Sequence, residues 1–332
     1  LSDVRQAIKQ ADGLISGGGS LLQDQTGIRS IPYYAGVIKL AQWLGKPTFV
    51  YAQGMGPFNR MISRWIVKHV LNRVDAITVR DESSQKLLKS VGVTKEIPIV
   101  PDPVLGLDVT RFENNWVNQQ PFMTGAMGHI DVAPHPNAGD DPMNKTSELT
   151  PYPANRTEFI TVSVRDWPSP IPYLQLIAGG LDQLAKLGYQ IVFVPMHGEF
   201  DKATSQKTAS LMQEKSYIAP ADLSIEEKVS IIGESELLIG MRLHSLVFAA
   251  ANHVPFIALS YDPKIDAFAE ICEQPLIGHV EEDTWSADDL FAQASRSLEF
   301  RVIQQDILKN KTSTFKAQAL ETAKKAINTF KQ

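Results

Sequence analysis

Arg242 and His244 stand where an apolar strand pattern, LLIG, gives way to an apolar helix pattern, LHSLVFAAA. Leu243, Leu246, Val247 and Ala250 fall at i, i+3, i+4 and i+7, the spacing of a helix's buried face. That register puts His244 in the first turn and Arg242 at or just before its start. A helix N-terminus already carries unpaired N–H groups and about half a positive charge. Adding an arginine there is unfavourable unless an anion, a phosphate or a carboxylate, occupies the same place. The anion would also raise the pKa of His244 and keep the imidazole protonated, ready to act as a general acid. Lys264 follows the next apolar run, PFIALSY, so it comes from a neighbouring strand end and can converge on the same ligand. A histidine that only hydrogen-bonds backbone near a helix start is the alternative for His244. The two nearby cations weigh against it.

Other candidates occupy equivalent positions. Arg80 in ITVRD and Arg165 in VSVRDW follow apolar runs directly. A surface ion pair would explain either alone, but two at the ligand-binding ends of two sheets favour a binding role. His197 and Glu199 in VFVPMHGEF lie just past another strand, where a structural loop histidine and a site residue both stay open. Gly17, Gly18 and Gly19 in GLISGGGSLLQD mark a strand-to-helix turn, where glycine permits positive φ and close approach to a ligand. The run is neither a Walker loop nor GxGxxG, and a tight structural turn remains open for it. Gln53 and Gly54 in YAQGMGP close another strand at the same sheet edge. His129 and His135, with Asp131, Asp140 and Asp141, match no standard ligand spacing, so no metal is expected.

The elements that position these residues alternate. From residue 1 to about 108, helical stretches such as YYAGVIKLAQWLG and MISRWIVKHVLNRV separate the strand patterns GLISG, PTFVYAQG, AITVRD and IPIVPD. Residues 109–157 break the rhythm with Gly, Pro, Asn and Asp, as expected of an interdomain connection with a long loop or lid. The alternation restarts with EFITVSVRDW and YQIVFVPMHG and runs to about residue 290; residues 291–332 read as C-terminal helices. Short β-rich runs alternating with helices predict an α/β fold with parallel sheets, in two Rossmann-like domains facing a central cleft. The boundaries expected are 1–108, 109–157, 158–290 and 291–332.

The totals agree with that scale. A chain of 332 residues exceeds what one core usually organises, which implies two domains. With 43% hydrophobic and 21% charged residues it has the composition of a soluble globular protein. Its 32 basic and 37 acidic residues give a net charge of −5, which argues against broad nucleic-acid binding. Cys272 is the only cysteine, which excludes an intrachain disulfide and suits a buried apolar position in a reducing compartment. No apolar run approaches the roughly 20 residues that span a bilayer.

GMRLHSLVFAAANHVPFIALSYDPK resembles the signature of the polysaccharide pyruvyltransferase family, and GGGSLLQD, YAQGMGP, ITVRDESS, VSVRDW and VPMH resemble its other blocks in order. The likeness covers most of 12–108 and 158–270 and is closest to the CsaB-type ketal pyruvyltransferases of secondary cell-wall polymer synthesis. The family usually begins with a strand and a Gly/Asn-containing loop that this chain lacks, so part of its N-terminal domain is expected to be missing here. The segment 109–157 matches no block.

The resemblance implies a GT-B-like fold, with the acceptor on the N-terminal domain and phosphoenolpyruvate on the C-terminal one. It implies transfer of pyruvate as a 4,6-ketal to β-N-acetylmannosamine of a lipid-diphosphate-linked glycan precursor, releasing phosphate, with no cofactor. The product would support S-layer protein anchoring. His244 would protonate the methylene carbon. Arg242, Lys264 and Arg165 would hold the donor's phosphate and carboxylate, leaving Gly17, Gly18, Gly19, Gln53, Gly54 and Arg80 for the acceptor or its diphosphate, and His197 would also bind substrate. The cytoplasm is the expected compartment, at or near the inner face of the membrane. The Lys-bearing C-terminal segment is expected to pack across the domains, with contact to anionic lipid as the alternative. Two other functions compete: a GT-B glycosyltransferase using a nucleotide sugar, and a non-catalytic glycan-binding protein.

Overall fold

A computed structural model describes residues 2–25, 27–123 and 158–331. The chain divides into two compact units, Leu1–Leu107 with Asn310–Gln332, and Asp108–Lys309.

In the first unit, α1 (Ser2–Gln10) leads into β1 (Leu14–Gly17), α2 (Ser30–Trp43), β2 (Thr48–Gln53), α3 (Met61–Leu71), β3 (Ala76–Val79) and α4 (Glu82–Ser90). The three strands form a parallel sheet in the order β1-β2-β3. One core joins Ile31, Ala35 and Ile38 of α2, Val67, Val70 and Leu71 of α3, and Val50 and Ile77 of the sheet. Each fully buried Val, Leu or Ile side chain among these contributes roughly 1.5–3 kcal/mol. The strand expected at IPIVPD is reduced to one bridge, Val79 to Ile99. Pro98 and Pro101 carry no N–H, so the ladder holds only Val79 N–H to the Pro98 carbonyl and Val100 N–H to the Val79 carbonyl.

The second unit continues with β4 (Phe159–Ser163), α5 (Tyr173–Lys186), β5 (Gln190–Phe193), α6 (Gly198–Leu211), β6 (Ser216–Ile218) and α7 (Ile225–Gly233). It is completed by β7 (Leu237–Gly240), α8 (Leu243–Ala251), β8 (Phe256–Ser260), α9 (Pro263–Ile271), β9 (Leu276–His279) and α10 (Ala287–Glu299). Its six parallel strands run in the order β6-β5-β4-β7-β8-β9. The order reverses beside β4, making the junction between β4 and β7 a topological switch point, the usual ligand position in an open α/β sheet. β4, β7 and β8 are buried along their whole length, as expected of strands covered on both faces. Gly179 and Gly180 let α5 approach α10 closely, since a Cβ at Gly180 would stand 3.0 Å from Leu290.

Of the segment expected to connect the domains, residues from Asp108 onward belong to the second unit. Asn114 is buried there, donating to Ser230 Oγ at 3.0 Å and Glu234 Oε1 at 2.8 Å. The remainder, with His129, His135, Asp131, Asp140 and Asp141, lies outside the described residues. The tail is helical. α10 packs on α5, and α11 (Arg301–Phe330) belongs to the first unit from Asn310 onward. In that unit Ala319 and Ala326 are buried, and the Ala319 carbonyl accepts from the Tyr51 hydroxyl at 3.5 Å. No helix among the described residues is long and apolar enough to cross a membrane.

Candidate active site

In the second unit the candidate side chains follow the C-terminal ends of four adjacent strands. Across the sheet these are His197 after β5, Arg165 after β4, Arg242 and His244 after β7, and Lys264 after β8. Neighbouring strands lie about 4.8 Å apart, so parallel pairing alone gathers them along one edge. Arg165 and Arg242 flank the switch point. There Ser163 is in register with Gly240, and Met241 N–H donates to the Ser163 carbonyl at 2.7 Å.

Arg242 is the N-cap residue of α8 in extended conformation, and His244 is in the first turn, with its ring 6.3 Å from that of Phe248. The anion that balances Arg242 comes from the protein. Asp201, buried in the first turns of α6, accepts from Arg242 Nε at 2.9 Å and pairs with its Nη2. The same carboxylate accepts from His197 N–H at 2.9 Å, fixing the loop after β5. A positive residue at the start of α8 therefore does not by itself require a bound ligand, because α6 supplies the counter-charge. Lys228 is also buried, its ammonium donating to the Ala221 carbonyl at 3.1 Å. Burial pushes its pKa down, opposed in part by Asp201, Asp222 and Glu227. His197 is exposed and stacks on Phe200 at 5.7 Å between centroids.

Arg165 is held differently. Its guanidinium carbon lies 5.0 Å from the Trp167 ring and 4.5 Å from the Tyr261 ring, and the two rings are 4.7 Å apart. The Trp167 indole N–H donates to Glu281 Oε1 at 2.7 Å. Tyr173 braces the same loop, its hydroxyl donating to the Arg165 carbonyl at 3.0 Å and accepting from Trp167 N–H at 2.9 Å. Burial raises the Tyr173 pKa, so the hydroxyl stays a donor. Arg165 Nε is buried with no hydrogen-bond partner among the described residues. Lys264 lies in the first turn of α9, where its N–H donates to the Asp262 side chain at 3.0 Å.

The first unit gathers a second cluster at the matching edge of its own sheet. Gly17 ends β1, and Gly18 and Gly19 take φ of +79° and +57° with open space where a Cβ would lie. They are needed for backbone conformation rather than for clearance. Gly54 N–H donates to the Gly19 carbonyl at 3.0 Å. A Cβ at Gly54 would stand 2.6 Å from Ser20 Oγ and 3.0 Å from Arg80 Nη2. Arg80 donates to Ser20 Oγ and to Asp102 Oδ2, both at 3.4 Å, and lies 3.9 Å from Asp81. Two carboxylates against one guanidinium leave this cluster negative, which suits sugar hydroxyls better than a phosphate. Gln53 is fully buried, yet neither polar atom of its amide has a hydrogen-bond partner among the described residues. An unmade buried hydrogen bond costs roughly 1–3 kcal/mol. Next to it Ala52 is strained at φ +45°, where the register of β2 against β3 shifts.

Asp201, Trp167, Tyr261 and Asp102 join the residues expected from sequence. Trp167 and Tyr261 stand in motifs already visible there. Asp201 has only a weak local signal, an acidic residue four positions after His197.

The fold is shared with solved structures of low sequence identity. HepE from Anabaena in complex with UDP-glucose has a TM-score of 0.59 at 11% identity, covering 99% of this chain and 81% of that one. A glycosyltransferase from Rickettsia africae has a TM-score of 0.59 at 12% identity, covering 99% and 79%. UDP-GlcNAc 2-epimerase from Neisseria meningitidis bound to UDP-GlcNAc has a TM-score of 0.56 at 10% identity, covering 96% and 81%. These likenesses establish the α/β, GT-B-like fold class. The polysaccharide pyruvyl transferase family model matches residues 2–263, a span that contains the first unit's strand-end cluster and all of the second unit's except Lys264. With that span matched, the chain belongs to the polysaccharide pyruvyl transferase family and is a pyruvyltransferase acting on a polysaccharide.

Proposed function

We propose that the protein transfers pyruvate from phosphoenolpyruvate to a sugar diol as a cyclic 4,6-ketal, releasing inorganic phosphate. The acceptor in this reading is β-N-acetylmannosamine of a lipid-diphosphate-linked glycan precursor. The reaction then takes place in the cytoplasm, near the inner face of the membrane, and its product supports S-layer anchoring. The observation that carries the donor assignment is the row of Arg165, Arg242, His244 and Lys264 along adjacent strand ends at the switch point.

Phosphoenolpyruvate is a weak electrophile until its methylene carbon accepts a proton. His244 delivers that proton and C2 becomes cationic. One acceptor hydroxyl adds to C2 and loses its proton, the C2–O bond to phosphate breaks, and the second hydroxyl closes the ring as its proton leaves. Of the two hydroxyl protons, one restores His244 and the other balances the departing phosphate. Asp201 holds the Nε edge of Arg242, leaving the Nη1 edge to meet the donor's phosphate or carboxylate. The aromatic pair around Arg165 directs a second guanidinium to the same ligand. In the first unit, Gln53, Arg80, Asp102 and the Gly17–Gly19 turn offer donors and acceptors suited to sugar hydroxyls.

The structures of HepE with UDP-glucose and the epimerase with UDP-GlcNAc favour a second reading, nucleotide-sugar transfer on the same fold. The family match weighs against it. Calorimetry separates the two. Saturable binding of phosphoenolpyruvate, with none of UDP-glucose or UDP-GlcNAc, is expected, and the reverse order would reject the pyruvate donor.

A further inference from the structure

The segment Gln25–Val74 contains no aspartate or glutamate and seven Lys or Arg residues, leaving 25 basic and 37 acidic residues in the rest of the chain. Five of the seven, Arg29, Arg60, Arg64, Lys68 and Arg73, are exposed. The same segment leaves large apolar side chains in solvent: Met61 at 80%, Ile28 at 60%, Ile62 at 59%, Trp65 at 58% and Tyr33 at 57% exposure.

These features share one surface. α2 and α3 pack side by side and bury Ile31, Ala35, Ile38, Val67 and Val70 in a common core. Helical spacing then turns Tyr33 outward from α2, and Met61, Trp65 and Lys68 outward from α3. Each helix follows a parallel strand and runs back antiparallel to it. Ile28, Tyr33, Met61 and Ile62 therefore cluster at the helix starts, the edge where β1 and β2 end at Gly17 and Gln53. A second copy of an acidic chain would bring its own carboxylates and would be a poor match for exposed Met, Ile and Trp. A bilayer with anionic headgroups matches both parts, the rings and aliphatic chains at headgroup depth and the cations at the phosphates.

We infer that the outward face of α2 and α3 is a docking surface for an anionic lipid bilayer, which sets the strand-end cluster of the first unit beside the membrane. The C-terminal helix, the other candidate for lipid contact, buries Ala319 and Ala326 within the first unit. The inference rests on the chemistry of this face and holds whichever acceptor the enzyme uses.

The test is co-sedimentation of the full chain with phosphatidylcholine vesicles and with vesicles that also contain phosphatidylglycerol. Binding is expected only to the second kind, weakening as salt is added. Arg29→Glu with Lys68→Glu should lower partitioning about tenfold or more. Ile62→Ser with Trp65→Ser should lower it similarly, and both double variants should keep the wild-type thermal midpoint and phosphoenolpyruvate affinity. Equal binding to the two kinds of vesicle, or variants that pellet like wild type, would overturn the inference. So would a dimer in sedimentation velocity that these substitutions dissolve while the wild type ignores vesicles.

Discussion

Asp201 of α6 grips Arg242 at the β7–α8 junction through both Nε and Nη2, tying two loops at the strand ends of the second unit. Asp201 is buried while the arginine side chain keeps 20% of its surface, so one edge of the guanidinium is fixed and the rest can reach a ligand. Removing one partner of a buried pair typically costs about 3–5 kcal/mol, and the partial exposure of Arg242 puts this pair near the lower figure. Asp201→Ala should therefore lower stability by about 3 kcal/mol in denaturant unfolding. It should also weaken phosphoenolpyruvate binding in calorimetry.

The aromatic pair around Arg165 makes a separate prediction. Each ring supplies about 0.5–1 kcal/mol of cation–π attraction and narrows the guanidinium's orientations. Trp167→Ala and Tyr261→Ala should each weaken donor affinity by roughly twofold to fivefold. Tyr261→Phe, which retains the ring, should stay close to wild type. Equal losses from Tyr261→Phe and Tyr261→Ala in calorimetry would assign the effect to the hydroxyl instead.

His244 separates chemistry from binding. His244→Ala should reduce turnover by roughly 10²–10⁴-fold, the usual contribution of a general acid, with donor affinity changed only a few-fold. Steady-state phosphate release paired with calorimetry reads both. Near-normal turnover would remove His244 from the mechanism.

Asp81 links the first unit's cluster to pH. It caps α4, accepting from Ser84 N–H at 2.7 Å and Ser83 Oγ at 2.6 Å. Burial alone would raise its pKa, but the serine hydrogen bonds and the Arg80 charge outweigh that and hold it below the usual carboxylate range. A carboxyl lowered by folding stabilises fully above its unfolded pKa and loses that contribution as pH falls towards the folded value. Asn can still cap, so Asp81→Asn isolates the charge, at about 0.5–1 kcal/mol near neutrality. Thermal midpoints of the two proteins should differ at neutral pH and converge as pH falls through the carboxylate range.

The strand-to-helix rhythm could be read in the chain because its cues are local: apolar runs, glycine turns and helical spacing. That rhythm was enough to place Arg165, His197, Arg242 and Lys264 past strand ends. Their partners depend on tertiary packing, which local pattern does not encode. Asp201 lies 41 residues before Arg242, and Tyr261 meets Arg165 only because β8 is two strands from β4. IPIVPD has a strand's apolar pattern, but its prolines cannot donate to a ladder, leaving one bridge. The acid-free stretch from Gln25 to Val74 was present in the sequence, hidden by a net charge of −5 averaged over the whole chain.

Phosphate release from phosphoenolpyruvate, with and without a synthetic lipid-diphosphate disaccharide ending in N-acetylmannosamine, tests the central claim most directly when followed by mass spectrometry of the glycan. Acceptor-dependent phosphate and a glycan carrying one pyruvate ketal is the predicted result. A glycan that stays unmodified, with no phosphate released although phosphoenolpyruvate is bound, would contradict the proposed acceptor; failure to bind phosphoenolpyruvate at all would contradict the donor.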